Sequence, residues 1–138
     1  MKSALIDTGC IVALLDRSEK HHQFCVDLVN SLNVQWITCE AVIAESCYLL
    51  RSIKGACDAI LANIEEGIFQ LPFQLSTASS SIRKLMKKYQ DVPVDFADAC
   101  LIHLAEELKV PEIMTLDKDF YIYRWGRNHS FDFLISLA

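Results

Sequence analysis

Apolar residues follow two alternating patterns along this chain: short uninterrupted runs, and longer stretches in which they recur every three or four positions. The short runs predict strands at residues 3–6, 35–38, 68–73, 112–117 and 130–135. The periodic stretches predict helices at residues 8–17, 21–32, 39–53, 55–67, 76–90 and 95–109. Strands that alternate with one or two helices are typical of a parallel sheet covered on both faces, so the pattern predicts the α/β class.

Two residues are expected to mark helix ends. Ser76 precedes the apolar stripe of the fifth predicted helix, where a hydroxyl can cap the first backbone N–H groups. Gly67 follows the fourth predicted helix, where a left-handed residue commonly ends a helix.

Length, composition and charge narrow the class of protein. The 138 residues fit one domain spanning residues 1–138, and 52% of them are hydrophobic. Because the apolar stretches are too short to cross a bilayer and the first one is too short for a secretory signal, we expect a cytoplasmic protein with no membrane partner. The formal net charge of −5 argues against a protein that holds nucleic acid mainly through a positive surface. If the chain acts on nucleic acid, a metal ion must help.

The cysteines are expected to be buried free thiols. There are six, and no two form a C-x-x-C motif. Cytosolic conditions disfavour disulfides, and zinc sites need closer pairs. The six are Cys10, Cys25, Cys39, Cys47, Cys57 and Cys100.

Several acids occupy positions where an α/β sheet gathers its ligands. Asp7 and Asp117 each follow a predicted strand, so both should emerge at the carboxyl edge of the sheet, although either could instead cap the next helix. Asp95 is well placed as the N-cap of the last predicted helix, which puts Asp98 in its first turn. Glu45 falls between Val42 and Leu49 at helical spacing, so we expect its carboxylate to point towards the apolar side.

In this order and at these intervals, the acids resemble the PIN-domain family over nearly the whole chain. The matching segments are Asp7-Thr8, Glu45 within AVIAES, Asp98 within VDFADA and Asp117 within TLDKDF. The resemblance implies a three-layer α/β/α sandwich with a short central parallel sheet and a metal-dependent nuclease site, as in the VapC-like toxins of toxin–antitoxin pairs. By motif position, the expected catalytic and metal-binding acids are Asp7, Glu45, Asp98 and Asp117, supported by Thr8, Thr115, Asp95 and Asp119. Asp117 is preferred over Asp119 because it lies nearer the strand exit.

Such a cluster of carboxylates calls for a cation. Like charges about 4 Å apart repel by roughly 4 kcal/mol per pair at an effective dielectric constant near 20. Mg²⁺ or Mn²⁺ would relieve this repulsion, since both prefer carboxylate and water oxygens, and either ion, singly or as a pair, can activate water for phosphodiester hydrolysis. Glu45 is expected either to bind the ion or to orient the attacking water.

The leading hypothesis is therefore a Mg²⁺- or Mn²⁺-dependent endoribonuclease, the toxin of a toxin–antitoxin pair. Arg51 and Lys54, which follow Glu45, are expected to contact the RNA backbone. Family likeness suggests a small antitoxin protein and a homodimer as partners. Two alternatives stay open: a PIN-like RNA-binding or assembly module that does not cut, and an enzyme acting on a small phosphorylated metabolite.

Overall fold

A parallel sheet forms the centre of the computed structural model, which describes residues 2–136. Its strands are β1 (Lys2–Ile6), β2 (Val34–Ile37), β3 (Phe69–Gln70), β4 (Glu112–Met114) and β5 (Asp132–Phe133). They are arranged in the order β3-β2-β1-β4-β5, and every neighbouring pair is parallel. The predicted strands and the α/β class are thus confirmed.

Helices occupy the connections between the strands. They are α1 (Thr8–Leu15), α2 (His22–Ser31), α3 (Glu40–Leu49), α4 (Ala56–Glu65), α5 (Leu75–Lys88), α6 (Phe96–Leu108) and a 3₁₀ helix at Lys118–Tyr121. Ala4, Leu5 and Ile6 are consecutive and all buried, and successive strand residues face opposite sides of a sheet. Both faces of β1 are therefore covered, as expected of a layered α/β/α fold. Within residues 2–136, no helix is both long and apolar enough to cross a membrane.

One predicted helix end is confirmed and one is wrong. Gly67 has φ +80°, its N–H donates to Ile64 O, and the next N–H donates to Asn63 O, which together form a Schellman motif that ends α4. Ser76 does not cap α5, because the helix already begins at Leu75 with Gln74 as its N-cap. The hydroxyls of this turn bond backwards instead: Thr77 Oγ1 donates to Gln74 O over 3.1 Å.

The expectation of buried free cysteines holds for part of the set. All six are free; Cys10, Cys25, Cys39 and Cys100 are buried, but Cys47 is half-buried and Cys57 is exposed. The prediction was wrong for Cys57 because this residue lies in the first turn of α4, on the side that faces solvent.

Candidate metal centre and its cleft

The order in which strands are added to the sheet changes sides at β1, and this switch point determines where the candidate site lies. The chain passes from β1 outwards to β2 and β3, then returns to the other side of β1 with β4 and β5. Ligands of open α/β sheets bind beyond the carboxyl ends of the strands at such a switch point. Asp7 follows β1 directly, and its N–H donates to Met114 O, the last carbonyl of β4, over 3.1 Å. This bond holds the exits of both strands together.

Asp7 is buried and held through both carboxylate oxygens. As the N-cap of α1, its Oδ1 accepts the Thr8 N–H over 2.7 Å. Its Oδ2 accepts the Thr115 hydroxyl over 2.8 Å. The capping role that the sequence left open is therefore real, and it coexists with a position at the sheet edge.

Asp117 is tied to the same threonine. Its N–H donates to Thr115 Oγ1 over 3.0 Å, so this hydroxyl joins the backbone of Asp117 to the carboxylate of Asp7. Asp117 Oδ1 in turn accepts the Asp119 N–H over 2.9 Å and begins the 3₁₀ helix. Asp117 thus caps this turn and also contributes a carboxylate oxygen to the group of acids, whereas Asp119 contributes its backbone N–H to the turn.

Asp98 enters the site from the first turn of α6. Asp95 caps this helix as predicted, because its Oδ1 accepts the Asp98 N–H over 2.8 Å. Asp98 is buried, and its Oδ2 accepts the Tyr123 hydroxyl over 3.3 Å. The cap thereby sets the direction from which Asp98 approaches Asp7.

Three of the four acids expected at the metal site come together. Asp7, Asp98 and Asp117 each offer a carboxylate oxygen, and these oxygens lie within 4.8 Å of one another. The pKa of Asp7 is raised to about 6. Burial is the main cause, the hydrogen bonds from Thr115 and Thr8 oppose it, and the charges of Asp117 and Asp95 add to it. Burial raises the pKa of Asp98 to about 8, assisted by the charges of Asp7, Asp95 and Asp117.

This arrangement fits a hard divalent cation. The donor set consists of carboxylate oxygens, which Mg²⁺ and Mn²⁺ prefer to nitrogen or sulfur. The raised pKa values show that ionised carboxylates are held together at a cost, and a cation would offset that cost. Thr8 Oγ1 lies beside the cluster, is buried and makes no hydrogen bond within the described part of the chain.

The acids lie in an open cleft of about 380 Å³. It is lined by Asp7, Thr8, Gly9, Val12, Glu19, Glu45, Leu49, Asp95, Asp98, Leu116 and Asp117. The charged side chains of this lining are all acidic. The cleft therefore attracts cations and repels the phosphate groups of a nucleic acid unless a cation intervenes.

Glu45 lies on the wall of the cleft and outside the group of three acids. Its side chain is exposed, and so is that of Leu49 one turn later, which is 53% accessible. The prediction that Glu45 points to the buried side was wrong, because the buried side of α3 carries Val42, Ile43 and Ser46, whereas Leu49 lies at the open cleft. Glu45 can still reach a molecule that enters the cleft.

Arg51 and Lys54 do not line the acidic cleft. The Arg51 guanidinium lies over the Tyr48 ring, 4.1 Å from its centroid, and donates to Tyr48 O over 2.8 Å. Lys54 lines a separate hollow, together with Asp16 and Arg17. Any contact of these cations with RNA would lie outside the acidic cleft.

Two further residues belong to the site and were not found from the sequence. Glu19 lines the cleft although it lies in the loop between α1 and α2. Tyr123 is fully buried, and its hydroxyl donates a hydrogen bond to Asp98. The pKa of Tyr123 is raised by burial and by the nearby carboxylates. No spacing or motif in the sequence indicates either contact, since both depend on the path of irregular segments.

Comparisons with known proteins agree with this geometry. The family model of the PIN domain matches residues 4–126. Ribonuclease VapC26 of Mycobacterium tuberculosis is 29% identical to this chain over 117 residues, which cover 83% of this chain and 86% of VapC26. The crystal structure of Mycobacterium tuberculosis VapC20, a sarcin-ricin loop cleaving toxin, is similar with a TM-score of 0.72, at 16% identity over 80% of this chain and 86% of that one. At this identity, the second comparison shows the shared fold.

Proposed function

The chain belongs to the PIN domain family, and on this premise we propose that it is a metal-dependent endoribonuclease, the toxin of a toxin–antitoxin pair. The observation that supports this proposal is the convergence of Asp7, Asp98 and Asp117 at the switch point of the sheet. A similar protein over most of the chain is named a ribonuclease. We assign the same activity to this chain because the three aspartates offer the oxygen ligands that Mg²⁺ and Mn²⁺ prefer.

The three aspartates would hold the divalent ion, with Glu45 beside them on the cleft wall. When bound, such an ion supplies an activated water and charge stabilisation for in-line hydrolysis of a phosphodiester. Cleavage compared in Mg²⁺ and in Mn²⁺ distinguishes the two ions, and the stoichiometry of Mn²⁺ binding distinguishes one bound ion from two.

The chain's own residues prepare this chemistry by fixing the carboxylates. Thr115 holds Asp7 and Asp117 in register, and Asp95 fixes the turn that presents Asp98. Thr8 Oγ1, buried beside the carboxylates, has an unused hydrogen-bond donor within the described residues. Glu45, exposed on the cleft wall, would either bind the ion or orient the attacking water.

The acidic lining also bears on the partners of the protein. With acidic charged groups around the three aspartates, RNA must bind through the ion and through cations outside the cleft, for which Arg51 and Lys54 are the proposed contacts. The same lining suits an antitoxin that inserts a basic side chain among the acids. We also propose that the protein is a homodimer and that it acts in the cytoplasm. Light scattering of the purified chain measures the oligomeric state.

The test is cleavage of a panel of single-stranded and structured RNAs by the purified protein with Mg²⁺, with Mn²⁺ and with EDTA. Asp98→Asn should abolish cutting because it removes one of the negative charges that hold the ion while preserving the size of the side chain. Asp91→Asn, which neutralises an exposed acid in the turn before α6, is the matched control and should cut normally.

The main alternative is a PIN-like module that binds RNA without cutting. It would be supported if the wild type bound the panel and left it intact with every ion. Cleavage that persists in EDTA, or in Asp98→Asn, would remove the acids from the mechanism.

A further inference from the structure

Two cysteines meet at the corner between α3 and α4, outside the acidic cleft. The sulfur atoms of Cys47 and Cys57 lie 3.0 Å apart. Cys47 lies in α3 and is half-buried, and Cys57 is the second residue of α4 and is exposed. An accessible thiol therefore sits against a partner that can react with it in turn.

The remaining cysteines also form close pairs, but in the core. Cys10 is hydrogen-bonded to Cys25, and Cys39 to Cys100. All four have an exposed fraction of 0%. Because thiol oxidation requires contact with the oxidant, these four provide an internal comparison for the exposed pair.

We propose that Cys47 and Cys57 form a reversible dithiol–disulfide site that hydrogen peroxide closes. The exposed Cys57 sulfur attacks one peroxide oxygen: an S–O bond forms, the O–O bond breaks, and one water leaves after proton transfer. The Cys47 sulfur then attacks the sulfenic sulfur, forming the S–S bond while the S–O bond breaks and a second water leaves. The two sulfurs together give two electrons to hydrogen peroxide.

The surroundings of the pair permit this closure. The two sulfurs must approach by about 1 Å to reach a bond length near 2.05 Å. Cys57 is the exposed member of the pair, so this movement is expected from its side chain rather than from that of the half-buried Cys47. The segment between the helices is largely exposed, so the loop closed by the disulfide lies at the surface.

Closure would link the end of one cleft wall to the next helix. Glu45 and Leu49 flank Cys47 in α3, and both line the acidic cleft. Neither sulfur lines that cleft, and the thiol chemistry requires no metal. Disulfide formation at this site therefore does not depend on the ribonuclease function.

The test is to treat the fully reduced, folded protein with a small excess of hydrogen peroxide, quench with an alkylating agent in denaturant so that the buried thiols also react, and determine masses. We expect two of the six thiols to escape alkylation, a monomeric product lighter by two hydrogen atoms before alkylation, and a single linked peptide pair containing Cys47 and Cys57. Dithiothreitol should restore all the thiols. Cys47→Ser should lose the linked pair and stop at the sulfenic acid of Cys57, which a dimedone probe detects.

Cys57→Ser is the second variant, and it should consume peroxide no faster than buried thiols do. Both substitutions are small and lie at accessible positions, and circular dichroism verifies that each variant folds. Oxidation of Cys10, Cys25, Cys39 or Cys100 at the same rate as Cys57 would overturn the proposal. So would a disulfide between two chains, or a Cys57 that proceeds to sulfinic acid in the wild type with Cys47 still reduced.

Discussion

Replacing Asp98 by asparagine should stabilise the metal-free protein at pH 8. Burial and the charges of Asp7, Asp95 and Asp117 raise the pKa of Asp98 from 3.8 to about 8. A carboxyl whose pKa is higher in the folded state keeps its proton more tightly there than in the unfolded chain. Its contribution to stability is therefore present at low pH and is lost as the pH rises from about 4 to about 8.

The size of the effect follows from this shift. Each pKa unit corresponds to about 1.4 kcal/mol, so the loss for Asp98 alone reaches roughly 5 kcal/mol at pH 8. An asparagine amide carries no charge but still loses water on burial, which costs about 1–3 kcal/mol. The net gain should be roughly 2–4 kcal/mol in the free energy of unfolding. For a domain of this size, it corresponds to a rise in melting temperature of roughly 6–14 °C.

The assay is thermal and urea unfolding in EDTA at several pH values between 4 and 8. The advantage of Asp98→Asn over the wild type should be largest at pH 8. It should disappear as the pH falls and reverse near pH 4, where the folded-state carboxyl keeps its proton and the cost of burying the amide remains. Asp91→Asn removes the same charge from an exposed position and should change stability by less than about 0.5 kcal/mol. An Asp98→Asn protein that is no more stable than wild type at pH 8 would refute the reasoning.

Three further predictions follow from the contacts around the site. Thr115→Val removes the hydroxyl that lowers the pKa of Asp7, so that pKa, measured by NMR titration of the metal-free protein, should rise above about 6; an unchanged value would contradict the assigned bond. Asp95→Ala should cost about 1 kcal/mol in urea unfolding by removing the cap of α6, and Asp95→Asn should restore most of it, whereas equal losses would exclude capping. Gly67→Ala should cost about 1 kcal/mol because alanine disfavours φ +80°, and no loss would show that α4 can end differently.

Most of the fold was predictable because the spacing of apolar residues distinguished the strands from the helices. The run Ala4–Ile6 is apolar without alternation, as a strand buried on both faces must be. The end of α4 was predictable because Gly67 supplies the left-handed residue that the turn requires. The start of α5 was not, because the run of hydroxyl residues from Ser76 offers several equivalent caps, and the helix began before all of them.

The three aspartates of the site were predictable from chain position. Asp7 and Asp117 follow strands that end at the same sheet edge, and Asp98 lies in the first turn of a helix that starts there. The orientation of Glu45 was not predictable, because an apolar neighbour such as Leu49 can face either a core or an open cleft. A helix side that faces the core and one that lines an open cleft can carry the same apolar residues, so the sequence does not distinguish them.

The contacts that depend on irregular segments were also beyond the sequence. Tyr123 reaches Asp98 from a turn that follows the 3₁₀ helix, 25 residues further along the chain. The meeting of Cys47 and Cys57 depends on the angle between two helices, which their sequences do not specify. In both cases the chain path, rather than any local pattern, brings the groups together.

A Mn²⁺ titration in which binding and RNA cleavage are measured on the same samples tests the central claim most directly. If Asp7, Asp98 and Asp117 hold the catalytic ion, the Mn²⁺ concentration that half-saturates binding should equal the one that half-activates cleavage. Asp117→Asn should lose both together, while Asp91→Asn keeps both. Tight Mn²⁺ binding that survives in Asp117→Asn, or cleavage that is already complete before Mn²⁺ binds, would contradict the account.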